Sequence, residues 1–117
     1  MNMNELGRWW ADKFGLKDWK FEFKFLTRTE MLKHNMTLHT AAGFCKAWIE
    51  MKSAEILICT DEDTEYPSTV EETLVHELLH VWVWQFFDSD DITPDQSIRL
   101  EQSLNALSSS LVELRQS

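Results

Sequence analysis

The spacing of apolar residues changes period several times along the chain, and each change marks an element. In residues 4 to 14 (NELGRWWADKF), Leu6, Trp9, Trp10, Lys13 and Phe14 fall near i, i+3, i+4, i+7 and i+8. That predicts a short helix, with Gly15 as its stop. Residues 18 to 27 (DWKFEFKFLT) switch to strict alternation, with Trp19, Phe21, Phe23 and Phe25 set against Lys20, Glu22 and Lys24. This is the signature of a half-buried strand whose aromatics face inward. Arg28 to His34 fits one or two helical turns. Residues 42 to 51 (AGFCKAWIEM) and 54 to 60 (AEILICT) read as two further strands joined at Lys52-Ser53, and sequence neighbours of this kind usually pair as a hairpin.

Beyond the acidic stretch Asp61 to Tyr66 the period lengthens. Ser68-Thr69-Val70-Glu71 has the form of a capping box, with Ser68 as N-cap, and opens a helix predicted to reach Phe87. Asp88 to Asp91 break that helix. Thr93-Pro94-Asp95-Gln96 is a second capping box with Pro at the first helical position. Leu100, Leu104, Leu107, Leu111 and Leu114 then form one apolar stripe on a helix to about residue 115. The predicted fold is α+β, one domain over residues 1 to 117. It has an N-terminal helix, a small three-stranded sheet and two long antiparallel helices.

Composition narrows the function classes. With 117 residues one domain is expected, and 44% hydrophobic content with six Trp and seven Phe argues against disorder. Twenty acidic against eleven basic residues give a net charge of −9, so no basic stripe is available for nucleic acid. The longest nearly apolar run, 74 to 87, is interrupted by His, Glu, His and Gln and is too short to span a bilayer. Residues 1 to 15 lack the apolar centre of a signal peptide. With only two cysteines, Cys45 and Cys59, no disulfide framework is expected, and both read as buried strand residues. A cytoplasmic location follows as the expectation.

The chemistry lies in the third predicted helix. His76-Glu77-Leu78-Leu79-His80 is an HExxH pattern. Histidines four apart on a helix stack one above the other, so both rings reach one ion, and zinc is the expected cofactor. Glu77 is turned about 100° from His76, a position from which its carboxylate acts as general base on water rather than as a ligand. An ionised Glu and two imidazoles in so apolar a helix cost several kcal/mol unless something satisfies them, and a cation does so.

A zinc site of this kind needs a third protein ligand, and the candidates are Asp88, Asp90, Asp91, Asp95, Glu101 and Glu113. If the helices end at Phe87 and begin at Thr93, His80 lies about 10.5 Å before the bend and Glu101 about 12 Å after it. The two stand level, which selects Glu101. By the same measure Asn105 stands level with His76 and can hydrogen-bond a ligand from outside the coordination sphere.

His76-Glu77-x-x-His80 followed by Glu101 and Asn105 resembles the gluzincin class of zinc peptidases. The small size and element order are most similar to minigluzincins and to short phage- or prophage-encoded HExxH proteins. The resemblance covers residues 42 to 108. It implies zinc held by His76, His80 and Glu101, Glu77 as general base, and an edge strand within residues 42 to 60 that aligns a peptide or protein substrate. It also implies a bacterial or phage-infected host cell as the setting. The larger enzymes carry Asp where this chain has Asn105, and a Tyr or His donor for the oxyanion that has no counterpart after His80.

Among earlier residues Tyr66, His34 and His39 have the chemistry to stabilise an oxyanion. Tyr66 is the candidate, because it precedes the motif helix, whereas the two histidines read as surface residues. Asp61, Asp63 and Glu65 alternate like weak calcium ligands but lack the Gly and distal Glu of an EF-hand, so a solvated acidic loop is expected. Two readings remain open. One is zinc-dependent peptide-bond hydrolysis, and the other is a zinc-bearing, non-proteolytic interaction or regulatory protein that acts through its acidic surface.

Overall fold

A computed structural model describes residues 1–61, 69–87 and 89–117. Its elements run α1 (Met3–Lys13), β1 (Lys20–Leu26), α2 (Arg28–His34), β2 (Gly43–Trp48), β3 (Ser53–Cys59), α3 (Val70–Trp84) and α4 (Pro94–Gln116). The α+β class and the order of helix, three-stranded sheet and long paired helices are as expected, with α2 inserted after β1.

Local chemistry sets the boundaries. Asn2 caps α1 by accepting from the Glu5 amide, and the helix stops at Gly15, whose φ of 77° is the left-handed conformation that favours glycine. The amides of Gly15 and Leu16 donate back to Asp12 and Ala11, which satisfies two of the last carbonyls. Thr27 and Glu30 form a capping box that nucleates α2.

The sheet order is β1-β3-β2, with β3 in the centre. β2 and β3 form the expected antiparallel pair, with Cys45 opposite Ile56, while β1 lies parallel to β3 with Phe23 opposite Ile56. The strand predicted over 42 to 51 is shorter, because Ile49–Met51 tighten into a 3₁₀ turn that ends at Lys52 in the left-handed region. Cys45 and Cys59 are both buried and free, and the register leaves them in different pairs.

Strand alternation separates two apolar clusters. Phe21, Phe23 and Phe25 join Ala54, Ile56, Ile58, Cys45 and Ala47 on the face that meets α1, α3 and α4. The opposite face places Leu26, Phe44, Leu57 and Cys59 against Met31 of α2 and Leu38. Arg28, itself buried, fixes the chain that follows α2 by donating to the carbonyls of Leu38 and Ala41.

The helices depart from expectation in three places. The N-cap of α3 is Thr69, which accepts from the Glu72 amide; the motif is shifted by one because Thr69-x-x-Glu72 also fits, and Ser68 lies outside the described residues. The helix ends at Trp84 rather than Phe87, since the next residues pass the edge of the core. Phe86 is 66% exposed, and its amide tightens onto Val83. Just past this end Phe86 meets Trp82 edge-to-face at the surface.

The third departure is the leucine stripe. Thr93, Pro94 and Gln96 cap α4 as expected, but the buried line is Leu104, Ser108 and Val112, and Leu107 and Leu114 face solvent. A leucine stripe and the packing line of a helix need not coincide when one neighbour, here α3, covers only part of the circumference. Among the described residues no helix is long and apolar enough to cross a membrane.

Candidate metal centre

The centre is built where α3 and α4 run side by side. On α3, 3.6 residues per turn bring the rings of His76 and His80 onto one face, 4.8 Å apart between centroids, and both are mostly buried. Glu101 of α4 closes the group, as the level heights predicted. Its two oxygens lie 3.0 Å from His76 Nε2 and 2.7 Å from His80 Nε2, and the two Nε2 atoms are 3.1 Å apart. These three side chains are the set among the described residues able to offer one ligand atom each to a common ion. Asp90, Asp91, Asp95 and Glu113 are not part of it, and Asp88 lies outside the described residues.

The spacing fits a divalent cation. Four donors at zinc bond lengths in a tetrahedron stand about 3.3 Å apart, close to the separations of these three. The protonation chemistry gives the same answer. If both Nε2 atoms carry protons, two N–H groups face each other at 3.1 Å. If either lacks one, its lone pair faces a carboxylate oxygen. Some repulsion survives every tautomer, and a cation turns all three contacts attractive. The Nδ1 atoms of both rings are buried without a hydrogen-bond partner, so the polar interactions of the two imidazoles are concentrated at Nε2.

The titration pattern has the same origin. Hydrogen bonds from His76 and His80 hold the Glu101 carboxyl far below the usual range, against the opposing effect of burial. Burial works against a charge on His76, but the Glu101 hydrogen bond, the charges of Glu77 and Glu101 and the Asn105 side chain together raise its pKa. Asn105 is therefore near His76, on the exposed side of α4, although it does not bond His76 Nδ1.

Glu77 occupies the inner flank of the centre. It is only 6% exposed, and burial pushes its carboxyl upward, with partial relief from the charges of His80 and His76. Its position is set by β2. A Cβ at Gly43 would stand 2.8 Å from Thr73 Cγ2 and 3.0 Å from Glu77 Cγ, so the strand rests directly on this part of α3. Cys45, two residues on, feels the charges of Glu77 and Glu101, but burial is the main reason its thiol is pushed far above the ordinary range. β2 is an edge strand, so its start lies beside Glu77 with one side unpaired within the sheet.

Two neighbours are not singled out by the sequence pattern. Trp84 stacks on His80 at 5.5 Å, one helical turn on, and the only signal for it is the i+4 spacing. Gly43, Cys45 and Ala47 form a line of small residues on the inner face of β2, visible only once the strand's facing is known. His34 and His39 are exposed, away from the metal group, and Tyr66 lies outside the described residues. Comparison with protein-family models, with curated proteins and with solved structures gave no match to this chain.

Proposed function

We propose that this protein is a gluzincin-like metallopeptidase that hydrolyses peptide bonds with zinc held by His76, His80 and Glu101. The observation that carries the reading is the meeting of two Nε2 atoms and one carboxylate within 3.1 Å of each other, with the buried Glu77 beside them. When bound, the ion supplies Lewis-acid chemistry, polarising a scissile carbonyl and making water easier to deprotonate.

The chain's own residues do the rest. Glu77 takes a proton from the attacking water on its carboxylate and passes it to the leaving amine nitrogen as the C–N bond breaks. Burial raises its pKa toward the range in which one group both accepts and donates, and a nearby cation favours the ionised form needed to begin. The open edge of β2 offers backbone groups with which an extended peptide can pair, placing its carbonyl near the centre. His76 and His80 are largely kept from solvent, with Trp84 against the His80 ring, so their Nε2 atoms face Glu101 rather than water.

The test has two parts. Protein purified without chelator should bind one equivalent of zinc at neutral pH and cleave members of a peptide library. Glu77→Gln should keep the zinc and lose cleavage. Failure of the wild type to hold zinc refutes the reading, and so does cleavage that survives in Glu77→Gln. Stoichiometric zinc with no cleavage by the wild type instead supports the non-proteolytic binding protein.

A further inference from the structure

The metal centre has one neighbour on α4 that is not among its ligands. Asn105 follows Glu101 by one helical turn, about 40° round the axis, so the two side chains stand one above the other. It stands level with His76, and its carboxamide interacts with that ring. Both Nδ1 atoms are buried without a hydrogen-bond partner, so the contact is on the Nε2 side, where the three candidate ligand atoms meet. Asn105 therefore does not orient His76 from behind, the usual task of a polar group beside a ligating imidazole. Its side chain is exposed, at the open side of the centre.

The other polar side chains at this opening are acceptors, ligands or already engaged. Among the described residues, Glu77 and Glu101 only accept when ionised, and the two Nε2 atoms are ligand positions. Thr73 gives its hydroxyl to the Thr69 carbonyl, and Trp84 lies a turn away, past His80. An Asn carboxamide has two N–H donors and no charge. An imidazole that ligates through Nε2 has no proton there to give, so the ring does not hold the carboxamide. Beside two carboxylates an Asp at this position would repel an oxygen that is becoming negative, whereas Asn donates to it.

A groove of about 380 Å³ continues the same line, with Glu72, Ser109, Val112 and Gln116 in its walls. Glu72 precedes His76 by one turn of α3, and Ser109 follows Asn105 by one turn of α4. A peptide that crosses the centre into this groove passes Asn105. Glu77 lies on the other flank, under β2, so base and donor face the scissile bond from opposite sides. We propose that, within the peptidase reading above, Asn105 is a catalytic residue whose carboxamide N–H donates to the oxygen of the scissile carbonyl as negative charge builds on it.

The test compares zinc-loaded wild type and variants on one peptide that the wild type cleaves. It also uses a phosphinic peptide of the same sequence, whose tetrahedral phosphorus bears the charged oxygen of the attacked carbonyl. Asn105→Ala and Asn105→Asp should lower kcat about 100-fold or more, with KM and zinc affinity within about threefold of wild type. By calorimetry both should bind the phosphinic peptide about 100-fold more weakly. Asn105→Gln, which keeps the donor on a longer arm, should recover part of both losses, and all variants should keep the wild-type circular dichroism. Zinc affinity that falls more than about tenfold in Asn105→Ala makes the residue a ligand and overturns the proposal. Unchanged kcat, or unchanged affinity for the phosphinic peptide, in Asn105→Ala overturns it while the peptidase reading stands. A wild type that cleaves no peptide overturns both.

Discussion

Glu71 offers the sharpest test of how the centre is held in place. It sits in the first turn of α3, 7% exposed, and two other helices converge on it. Arg115 near the end of α4 donates Nε to Oε2 at 2.5 Å and an Nη to Oε1 at 2.6 Å. Trp10 of α1 donates Nε1 at 2.8 Å, and Gln116 adds a bond at 3.1 Å. α4 buries only Leu104, Ser108 and Val112, so this clamp and Glu101 are its main polar ties to α3.

Glu71→Gln keeps the shape but supplies one acceptor and an unwanted donor. Losing the charge-assisted pair costs about 1.5–3 kcal/mol, and leaving the buried Trp10 N–H unmatched costs about 1–3 kcal/mol. Arg115 keeps 28% exposure and can turn toward water, which holds the net loss to about 3 kcal/mol. At about 2.1 cal/mol/K per residue, that lowers Tm by about 12 °C in a chain of 117 residues.

The loss should also depend on pH in a defined direction. Burial alone raises the Glu71 pKa, but the bonds from Arg115, Trp10 and Gln116 outweigh it and set the folded value below the ordinary 4.5. A depressed folded pKa contributes stability that is complete above about 4.5 and disappears as pH falls through the folded value. Urea unfolding followed by circular dichroism should show the full gap between wild type and Glu71→Gln at neutral pH, and a shrinking gap below about 4.5. A gap under about 1 kcal/mol at neutral pH, or one that stays constant on acidification, refutes the account.

Two further predictions concern β2. Gly43→Ala should destabilise by about 1–3 kcal/mol, because the new methyl meets Thr73 Cγ2 at 2.8 Å, Glu77 Cγ at 3.0 Å and the Leu57 carbonyl at 3.2 Å. An unchanged melting temperature would show that the strand does not rest on α3 as described. Cys45 and Cys59, 8% and 5% exposed, should resist a thiol reagent in the native protein and react together once denaturant is added. Rapid native labelling of Cys45 contradicts its burial.

Much of this was legible in the chain because it rests on local rules. Alternation gave β1, a capping box gave the start of α4, and helical periodicity put His76 and His80 on one face. Glu101 could also be found, since two helices joined by a short link must run antiparallel and helical rise then sets which residues stand level. Other features answer to partners distant in sequence, and no local rule names those. The parallel pairing of β1 with β3, the seat of Glu77 under Gly43 and the Glu71–Arg115 clamp are all of this kind.

The leucine stripe marks the boundary between the two. The sequence by itself determined that α4 would be a helix with one apolar line, because spacing along a helix is fixed by its 3.6-residue turn. Which line turns inward was decided by the tertiary structure. The contacts of Glu101 with His76 and His80 and the Glu71–Arg115 clamp near the helix end hold α4 with Leu104, Ser108 and Val112 inward, and the leucine stripe follows that rotation.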